Sequence, residues 1–238
     1  MFGVAYGVGV GPGDPELVTL KALNALRACD VVAFPGTDAS ASRAFCIAEA
    51  SCPELGTKEL LALPAPMVGD RAIVKAAQRE NARRVERVLD EGRDVAILVL
   101  GDPSLYSTFG YVRDVLVEDG YGVETISGVP SFCAVAARLG VSLAEWDEAV
   151  RIVPQTHADG CRIGASDFAG DPSDTLVLMK PGEGIGAVRD HALSTGRELL
   201  VVENCGLEGE RVYRCAADVP DRLGYLSVAL LRDAEPRD

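Results

Sequence analysis

Glycines just ahead of a helix can bring backbone N–H groups against a nucleotide-like ligand, and this chain carries such a string near its start. Residues 7–17 read GVGVGPGDPEL. Glycine at such a turn either permits a close approach to a ligand or only lets a helix pack tightly on a strand. The fingerprint G-x-G-x-x-G, begun at Gly7, would need its third glycine where Pro12 stands. An ordinary dinucleotide-binding fold is therefore disfavoured.

An acidic side chain follows a strand that the sequence predicts to be buried. Residues 95–100 (VAILVL) are apolar without alternation, which is typical of a parallel strand covered on both faces. Ligands of open α/β sheets bind beyond the carboxyl ends of their strands, where Gly101 and Asp102 stand. Asp102 and the nearby Tyr106 are therefore candidates for catalytic work. The structural alternative is that Asp102 only caps the next helix.

Three more short segments follow predicted strands or turns. A G-x-P-S turn places Pro130 and Ser131 before an alanine-rich helix, and taken alone it indicates only a loop and a packed helix. Met179 and Lys180 end one apolar run, and Cys205 follows another. Met179 fits a core position as well as a ligand contact, and Lys180 fits a solvated strand end.

The cysteines predict no metal site. The chain has seven cysteines and only two histidines, with no C-x-x-C pair. An odd, scattered set argues against a disulfide framework, and zinc sites need closely spaced ligands. We expect reduced, mostly buried thiols and no bound metal.

Composition narrows the class of protein and its partners. At 238 residues, 48% of them hydrophobic, the chain suits one large or two small domains with real cores. A net charge of −13 disfavours nucleic acid and anionic membranes as partners. No run approaches the roughly 20 apolar residues that cross a bilayer, and no signal peptide is recognised. We expect a cytoplasmic protein without a membrane partner.

The elements that position these residues alternate between strand and helix. In the first half, Asp14 is predicted to cap a helix that opens at Pro15, and Asp70 to cap a long helix that Gly92 ends. The predicted strands lie at 30–34, 60–63, 95–100 and 123–126, and the predicted helices at 17–26, 39–50, 70–91 and 112–117.

The second half repeats the alternation less regularly. Strands are predicted at 152–153, 176–179, 199–202 and 226–231, with part of a helix at 189–194 and a long loop at 155–173. A turn or hairpin at 206–212 indicates a mixed sheet. The prediction is an α/β fold of two domains, 1–119 and 120–238, joined near residues 118–122.

Three segments closely resemble the tetrapyrrole methylases, the S-adenosylmethionine-dependent enzymes of cobalamin and sirohaem synthesis. They are residues 9–22 with 28–33, residues 100–108 (LGDPSLYST) and residues 127–140 (SGVPSFCAVAARLG). The last two are similar in particular to the precorrin-2 C(20)-methyltransferase branch. The segments stand in family order and cover the first 140 residues.

The resemblance implies two α/β domains, the first mainly a parallel sheet and the second a mixed one, with an active-site cleft between them. It also implies S-adenosylmethionine as methyl donor, S-adenosylhomocysteine as product, a small tetrapyrrole as substrate, and a homodimer. The cofactor contacts implied by the family's motifs are Pro12, Gly101, Asp102, Leu105, Tyr106, Pro130, Ser131, Phe132, Met179, Lys180 and Cys205.

The implied reaction is methylation of precorrin-2, or of cobalt-factor II, at C(20), which gives precorrin-3A or cobalt-factor III. Another ring methylase acting at C(11) or C(17), a diphthine-synthase-like protein methylase and a non-catalytic binding module are the alternatives. Relatives that methylate uroporphyrinogen carry an Asp right after the second strand, where this chain has Pro35. That departure argues against uroporphyrinogen III as substrate.

A polycarboxylate substrate needs local cations on so acidic a chain. Guanidinium groups can pair with carboxylates bidentately. Two or three of five arginines are expected to do so: Arg43, Arg71, Arg138, Arg162 and Arg211. Neither the choice between metal-free and cobalt-bearing substrate nor the general base follows from the sequence.

Overall fold

The computed structural model describes residues 2–64, 66, 70–154, 168 and 174–234. Its contacts divide the chain into two compact units, Met1–Pro130 and Ser131–Asp238. The sequence places the boundary after residue 119, whereas the division in the structure follows Pro130. The difference arises because the strand Gly122–Ile126 hydrogen bonds along Val4–Val8 and so belongs to the first unit.

The first unit is built on a five-stranded parallel sheet. Its strands are β1 (Val4–Gly9), β2 (Val31–Pro35), β3 (Glu59–Leu63), β4 (Val95–Val99) and β5 (Gly122–Ile126). Their order is β3-β2-β4-β1-β5, and every pair is parallel. The prediction of a mainly parallel sheet is confirmed. Because β1 lies between β4 and β5, the carboxyl ends of these three strands are neighbours.

Four helices join these strands. They are α1 (Leu20–Ala28), α2 (Arg43–Ser51), α3 (Arg71–Asp90) and α4 (Phe109–Glu118). Asp70 caps α3 as predicted, since its side chain accepts a hydrogen bond from Ala72 N at 2.8 Å. The prediction for Asp14 is wrong in detail: it caps a short 3-10 turn, Pro15–Leu17, and α1 begins only after Thr19.

One core of the first unit lies between the sheet and α3 and α4. All five residues of β4 are buried, which explains the unbroken apolar run in the sequence. Leu89 of α3 and Leu116 of α4 have no exposed surface in this core. Leu20, the first residue of α1, is 79% exposed.

In the part of the second unit that the structure describes, a mixed sheet has one α-helix on each face. Its elements are α5 (Ser131–Leu139), β6 (Val150–Pro154), β7 (Thr175–Met179), α6 (Ile185–Thr195), β8 (Glu198–Glu203), β9 (Arg211–Tyr213) and β10 (Ser227–Arg232). The strand order is β6-β7-β10-β8-β9. Among the described strands only β6 and β7 run parallel, so the predicted mixed sheet is confirmed.

Side chains that alternate along β7, β8 and β10 form the two cores of the second unit. Leu178 and Val201 pack with α6, whereas Val177 and Val202 pack with α5. The predicted hairpin is present as the antiparallel pair β8 and β9. The loop predicted at 155–173 lies outside the described residues except for Phe168, whose ring stacks on His191 at 4.1 Å.

Candidate functional site

Three loops meet where β4, β1 and β5 end. They comprise residues 10–14, 100–108 and 127–130, and we call them the three-loop cluster. Gly11 and Gly101 pair directly: Gly101 N donates to Gly11 O at 2.8 Å, and Gly11 N donates to Gly101 O at 3.3 Å. Both glycines have a φ of 75°, a conformation that costs other residues free energy. Pro12, a predicted contact, is buried beside this pair.

Glycine is also required where the loops touch. A Cβ on Gly9 would lie 2.5 Å from Gly128 N and 2.8 Å from Gly101 O. The three nearest atoms it would meet all belong to the backbone, so no side chain there can turn aside to make room. The sequence left open whether the glycines permit close approach to a ligand or tight packing. At Gly9 the structure shows tight packing, between the end of β1 and the neighbouring loops rather than between a helix and a strand.

Asp102 ties two of the loops together. It is 9% exposed, and Oδ1 accepts from Ser104 N at 2.8 Å and from Ser104 Oγ, while Oδ2 accepts from Gly128 N at 3.0 Å. Burial alone would raise the pKa of Asp102, but hydrogen bonds from Ser104, Gly128 and Ser127 outweigh it and hold the pKa below its usual value. An ionised carboxylate with both oxygens engaged anchors the loops and is poorly suited to take a proton from a substrate.

The alternative role for Asp102, capping the next helix, is not what the structure shows. α4 begins at Phe109, whose N–H donates to Ser107 Oγ at 3.1 Å. Asp102 instead reaches across to Gly128, 26 residues along the chain.

Tyr106 stands on the same loop with its side chain 52% exposed. Its φ of 49° places it in the left-handed region, which bulky residues rarely adopt. Leu105, next to it, is partly buried and closes a turn on Asp102 O at 3.2 Å. Such strain clusters at functional sites, so Tyr106 remains a candidate to contact ligand.

A second group of predicted residues lies in the second unit. Phe132 of α5, Met179 at the end of β7 and Cys205 just after β8 are partly buried and pack against one apolar cluster that includes Val202 and Val228. The structure thus brings these three side chains together, while Ser131 is the first residue of α5. Pro130 ends the first unit and is partly buried.

Backbone hydrogen bonds connect the residues after β7 and β8 to the turn that leads into β10. Lys180 N donates to Ser227 O at 2.8 Å, and Asn204 N donates to Leu226 O at 2.7 Å. Lys180 and Asn204 have φ values of 59° and 51°. A left-handed non-glycine residue therefore directly follows each of these two strands.

Glu203 is a structural residue of this region without a predicted role in the sequence. It is 8% exposed and accepts from Gly224 N at 2.6 Å and from Tyr213 Oη at 3.0 Å. Burial, and then the Glu203 carboxylate, raise the pKa of Tyr213. The sequence did contain a pattern that could have indicated Glu203, because this acid ends an apolar strand much as Asp102 follows one.

Tyr225 lies in the turn before β10, and no pattern in the sequence pointed to it. Its hydroxyl accepts a hydrogen bond from Lys180 Nζ at 2.7 Å, and Nζ lies 4.5 Å from the ring centre. Tyr225 is 50% exposed. Nearby, Glu203 and Gly224 help to line a groove of about 490 Å³ that also includes Arg211, Tyr213 and Arg222.

The five candidate arginines have different surroundings. Arg138 is paired with Glu210, with Nε and Oε1 2.6 Å apart. Arg211 lines the groove, and Arg43 is exposed at the start of α2. Arg71 is the first residue of α3, and Arg162 lies outside the described residues.

No three His, Cys, Asp or Glu side chains among the described residues are grouped so as to hold a metal ion. None of their helices is long and apolar enough to cross a membrane.

Comparisons with known proteins give a consistent result. The family model for tetrapyrrole (corrin/porphyrin) methylases matches residues 4–219. Over 176 residues the chain is 40% identical to a "Probable cobalt-precorrin-2 C(20)-methyltransferase" of Methanocaldococcus jannaschii, covering 74% of this chain and 71% of that protein. It is 30% identical over 238 residues to the cobalamin biosynthesis protein CobIJ of Mycobacterium tuberculosis, which covers 96% of this chain. The chain spans only 46% of that longer protein.

A solved structure shows the same fold. It is a uroporphyrin-III C-methyl transferase from Thermus thermophilus complexed with S-adenosylhomocysteine. The TM-score is 0.68 at 25% identity, over 97% of each chain.

Proposed function

The chain belongs to the tetrapyrrole (corrin/porphyrin) methylase family, and on that premise we propose that it is an S-adenosylmethionine-dependent methyltransferase of cobalamin biosynthesis. Its proposed reaction is the methylation of precorrin-2, or of the cobalt-bearing form, at C(20). The name of the Methanocaldococcus relative supports this position on the ring.

The three-loop cluster is the observation that carries the proposal. Pairing of Gly11 with Gly101, and the bond from Gly128 to Asp102, hold peptide groups rigidly at the carboxyl ends of adjacent strands. A zwitterionic cofactor is best bound by fixed dipoles that need no reorganisation. The three-loop cluster has no room for a Cβ at Gly9. This close packing is expected of a site whose ligand contacts are backbone groups.

We propose the following contacts for the cofactor. Residues of the first unit are Pro12, Gly101, Asp102, Leu105, Tyr106 and Pro130, and residues of the second are Ser131, Phe132, Met179, Lys180 and Cys205. When bound, S-adenosylmethionine would supply a methyl group from its sulfonium sulfur. The leaving group would be the thioether S-adenosylhomocysteine. The solved relative with S-adenosylhomocysteine supports this choice of cofactor.

The residues of the chain mainly bind and align. A bimolecular methyl transfer gains about 7 kcal/mol or more when both reactants are held in the reacting geometry. Asp102 contributes by fixing two loops, and Tyr106 is proposed to face the substrate from the same loop. No side chain need form a covalent intermediate.

Other substrates are less well supported. Pro35 ends β2 where uroporphyrinogen-methylating relatives carry an Asp, and proline provides no carboxylate. Methylation at C(11) or C(17) and protein methylation have no comparable support among the relatives described above.

The direct test is incubation with methyl-labelled S-adenosylmethionine and precorrin-2, with and without cobalt. We expect a product one methyl group heavier, with the label at C(20) by NMR. Label at another ring position would refute the assignment to C(20). No transfer to either form of the substrate, together with no calorimetric binding of S-adenosylhomocysteine, would refute the methyltransferase itself.

A homodimer and a cytoplasmic location are further proposals. The homodimer follows from the family resemblance, and light scattering should give twice the 25.1 kDa chain mass. Free cysteines are typical of a reducing compartment, and six are present among the described residues. A reporter fusion that is active only in the cytoplasm tests the location.

A further inference from the structure

Ser104 donates two hydrogen bonds to one oxygen of Asp102. Its backbone N lies 2.8 Å from Asp102 Oδ1, and its hydroxyl donates to the same oxygen. The other oxygen, Oδ2, accepts from Gly128 N at 3.0 Å. The Asp102 carboxylate is therefore held by its own loop on one side and holds a second loop on the other. Any displacement of this carboxylate disturbs the bond to Gly128 as well.

A turn after the neighbouring strand β2 has the same local bonds without the connection to a second loop. Asp38 Oδ1 accepts from Ser40 N at 2.9 Å and from Ser40 Oγ at 2.8 Å. Asp38 is exposed, and within the described parts of the chain its carboxylate bonds to no other loop. Of these two Asp–Ser pairs, it is Asp102 that passes its fixed position on to a distant segment.

The segment that Asp102 holds leads directly into α5. Gly128 lies three positions before Ser131, which is the first residue of that helix and a proposed cofactor contact. Thr19 Oγ1, at the start of α1, holds the same segment by donating to Ser127 O at 3.4 Å. The position of the Asp102 carboxylate therefore bears on the backbone just before a second proposed contact.

The hydroxyl of Ser104 is not needed to fill the core, because Ser104 is exposed. Alanine at this position would keep the backbone bond to Oδ1 and lose only the bond from Oγ. Burial raises the pKa of Asp102, and the Ser104 hydroxyl is the foremost of the hydrogen bonds that hold it below its usual value. A hydrogen bond to an ionised carboxylate is stronger than one between neutral groups, so this hydroxyl is a major restraint on Asp102.

We infer that Ser104 is a positioning residue for the cofactor, whose hydroxyl fixes the Asp102 carboxylate and through it the backbone of the three-loop cluster. The inference rests on the proposed function. Dipoles bind a charged ligand most favourably when they are fixed before it arrives, because they then need no reorganisation. Ser104 acts through Asp102 and needs no contact with the cofactor. Its loss should therefore weaken binding of the cofactor and leave binding of the tetrapyrrole unchanged.

The test compares four variants with the wild type by calorimetry with S-adenosylhomocysteine. Ser104→Ala removes the hydroxyl, Ser104→Thr keeps it, and Ser104→Val has the shape of threonine without it. Ser40→Ala is the matched control, because it removes the same local bond to Asp38. We expect Ser104→Ala and Ser104→Val to weaken binding about tenfold, the usual loss for one hydrogen bond to a charged group. Ser104→Thr and Ser40→Ala should bind as the wild type does.

Steady-state kinetics supply a second readout. Ser104→Ala should raise the KM for S-adenosylmethionine about tenfold and leave the KM for the tetrapyrrole unchanged, whereas general damage to the fold would affect both. Equal affinity for S-adenosylhomocysteine in Ser104→Ala and the wild type would overturn the inference, as would an equal loss of affinity in Ser40→Ala or in Ser104→Thr. Failure of the wild type itself to bind S-adenosylhomocysteine and to transfer methyl groups would instead refute the proposed function.

Discussion

At the scale of single residues, both units use a buried carboxylate to hold a loop in place. A buried carboxylate near the end of an apolar strand accepts backbone N–H groups from a distant turn: Asp102 holds Gly128, and Glu203 holds Gly224. Each bond fixes a loop beside a left-handed residue, Tyr106 in one case and Asn204 in the other. These carboxylates thus shape the loops.

Replacement of Asp102 by Asn tests this role. An amide would turn a donor toward a backbone N–H, so we expect the free energy of unfolding at neutral pH to fall by about 1–3 kcal/mol, with weaker binding of S-adenosylhomocysteine. Urea denaturation and calorimetry measure the two effects. Asp14→Asn is the control, because Asn caps a helical turn as well as Asp does and Asp14 is the cap of such a turn.

The stabilisation by Asp102 should depend on pH with a definite sign. Its pKa in the folded protein lies below the usual value of 3.8, so the carboxylate stabilises the fold fully above that value. The contribution is lost as the pH falls through the lower, folded-state pKa. The difference between wild type and Asp102→Asn should therefore shrink in acid, and a difference that grew in acid would contradict the role.

Trp146 offers a second residue-scale prediction. It is the chain's one tryptophan, 100% exposed, in a turn closed by a bond from Glu148 N to Glu145 O at 3.0 Å. Because the indole is already in water, its emission maximum should not shift when the protein unfolds in guanidinium. A native emission at shorter wavelength would show that another surface, such as a partner copy, covers it.

At the scale of elements, backbone packing between loops decides which glycines are required. Gly9 fills the junction of the three-loop cluster, whereas a Cβ on Gly110 in α4 would meet no atom within 4 Å. The two positions therefore separate glycines that the fold needs from those that it does not.

Gly9→Ala and Gly110→Ala form a matched pair. The first should lower the free energy of unfolding by about 1–3 kcal/mol or more, because rigid backbone must move, and should weaken binding of S-adenosylhomocysteine. The second should leave stability unchanged or raise it by up to about 1 kcal/mol, since alanine favours helix. Equal stability and equal cofactor affinity in both variants would contradict the packing described here.

At the scale of the whole molecule, burial decides which thiols can react. Cys29 and Cys52 are 1% and 0% exposed, and burial is the first cause of the raised pKa of each, about 12 for Cys29. Cys46, Cys133 and Cys215 are exposed and Cys205 is partly buried, so the prediction of mostly buried thiols is wrong for the six described cysteines. The thiolate is the reactive form, so both burial and pKa protect the first pair.

Alkylation of the native protein with iodoacetamide, read by peptide mass spectrometry, should label Cys46 and Cys215 and spare Cys29 and Cys52. Unfolding in guanidinium should make all four react. Rapid labelling of Cys29 in the native protein would contradict the packing around α1.

The sequence by itself determined the local features of this protein. The unbroken apolar run predicted β4 as a buried parallel strand, and the three motifs predicted the methylase family, because both signals lie within a few neighbouring residues. The start of α1 was predicted too early, since the cap at Asp14 closes only one short turn.

Only the tertiary structure decided which distant residues meet. Asp102 reaches Gly128, Glu203 reaches Gly224 and Lys180 reaches Tyr225. Each pair is far apart along the chain and is joined only because strands from different parts of the sequence lie side by side in a sheet. Local patterns record the propensity of each segment, whereas these contacts depend on strand order and register.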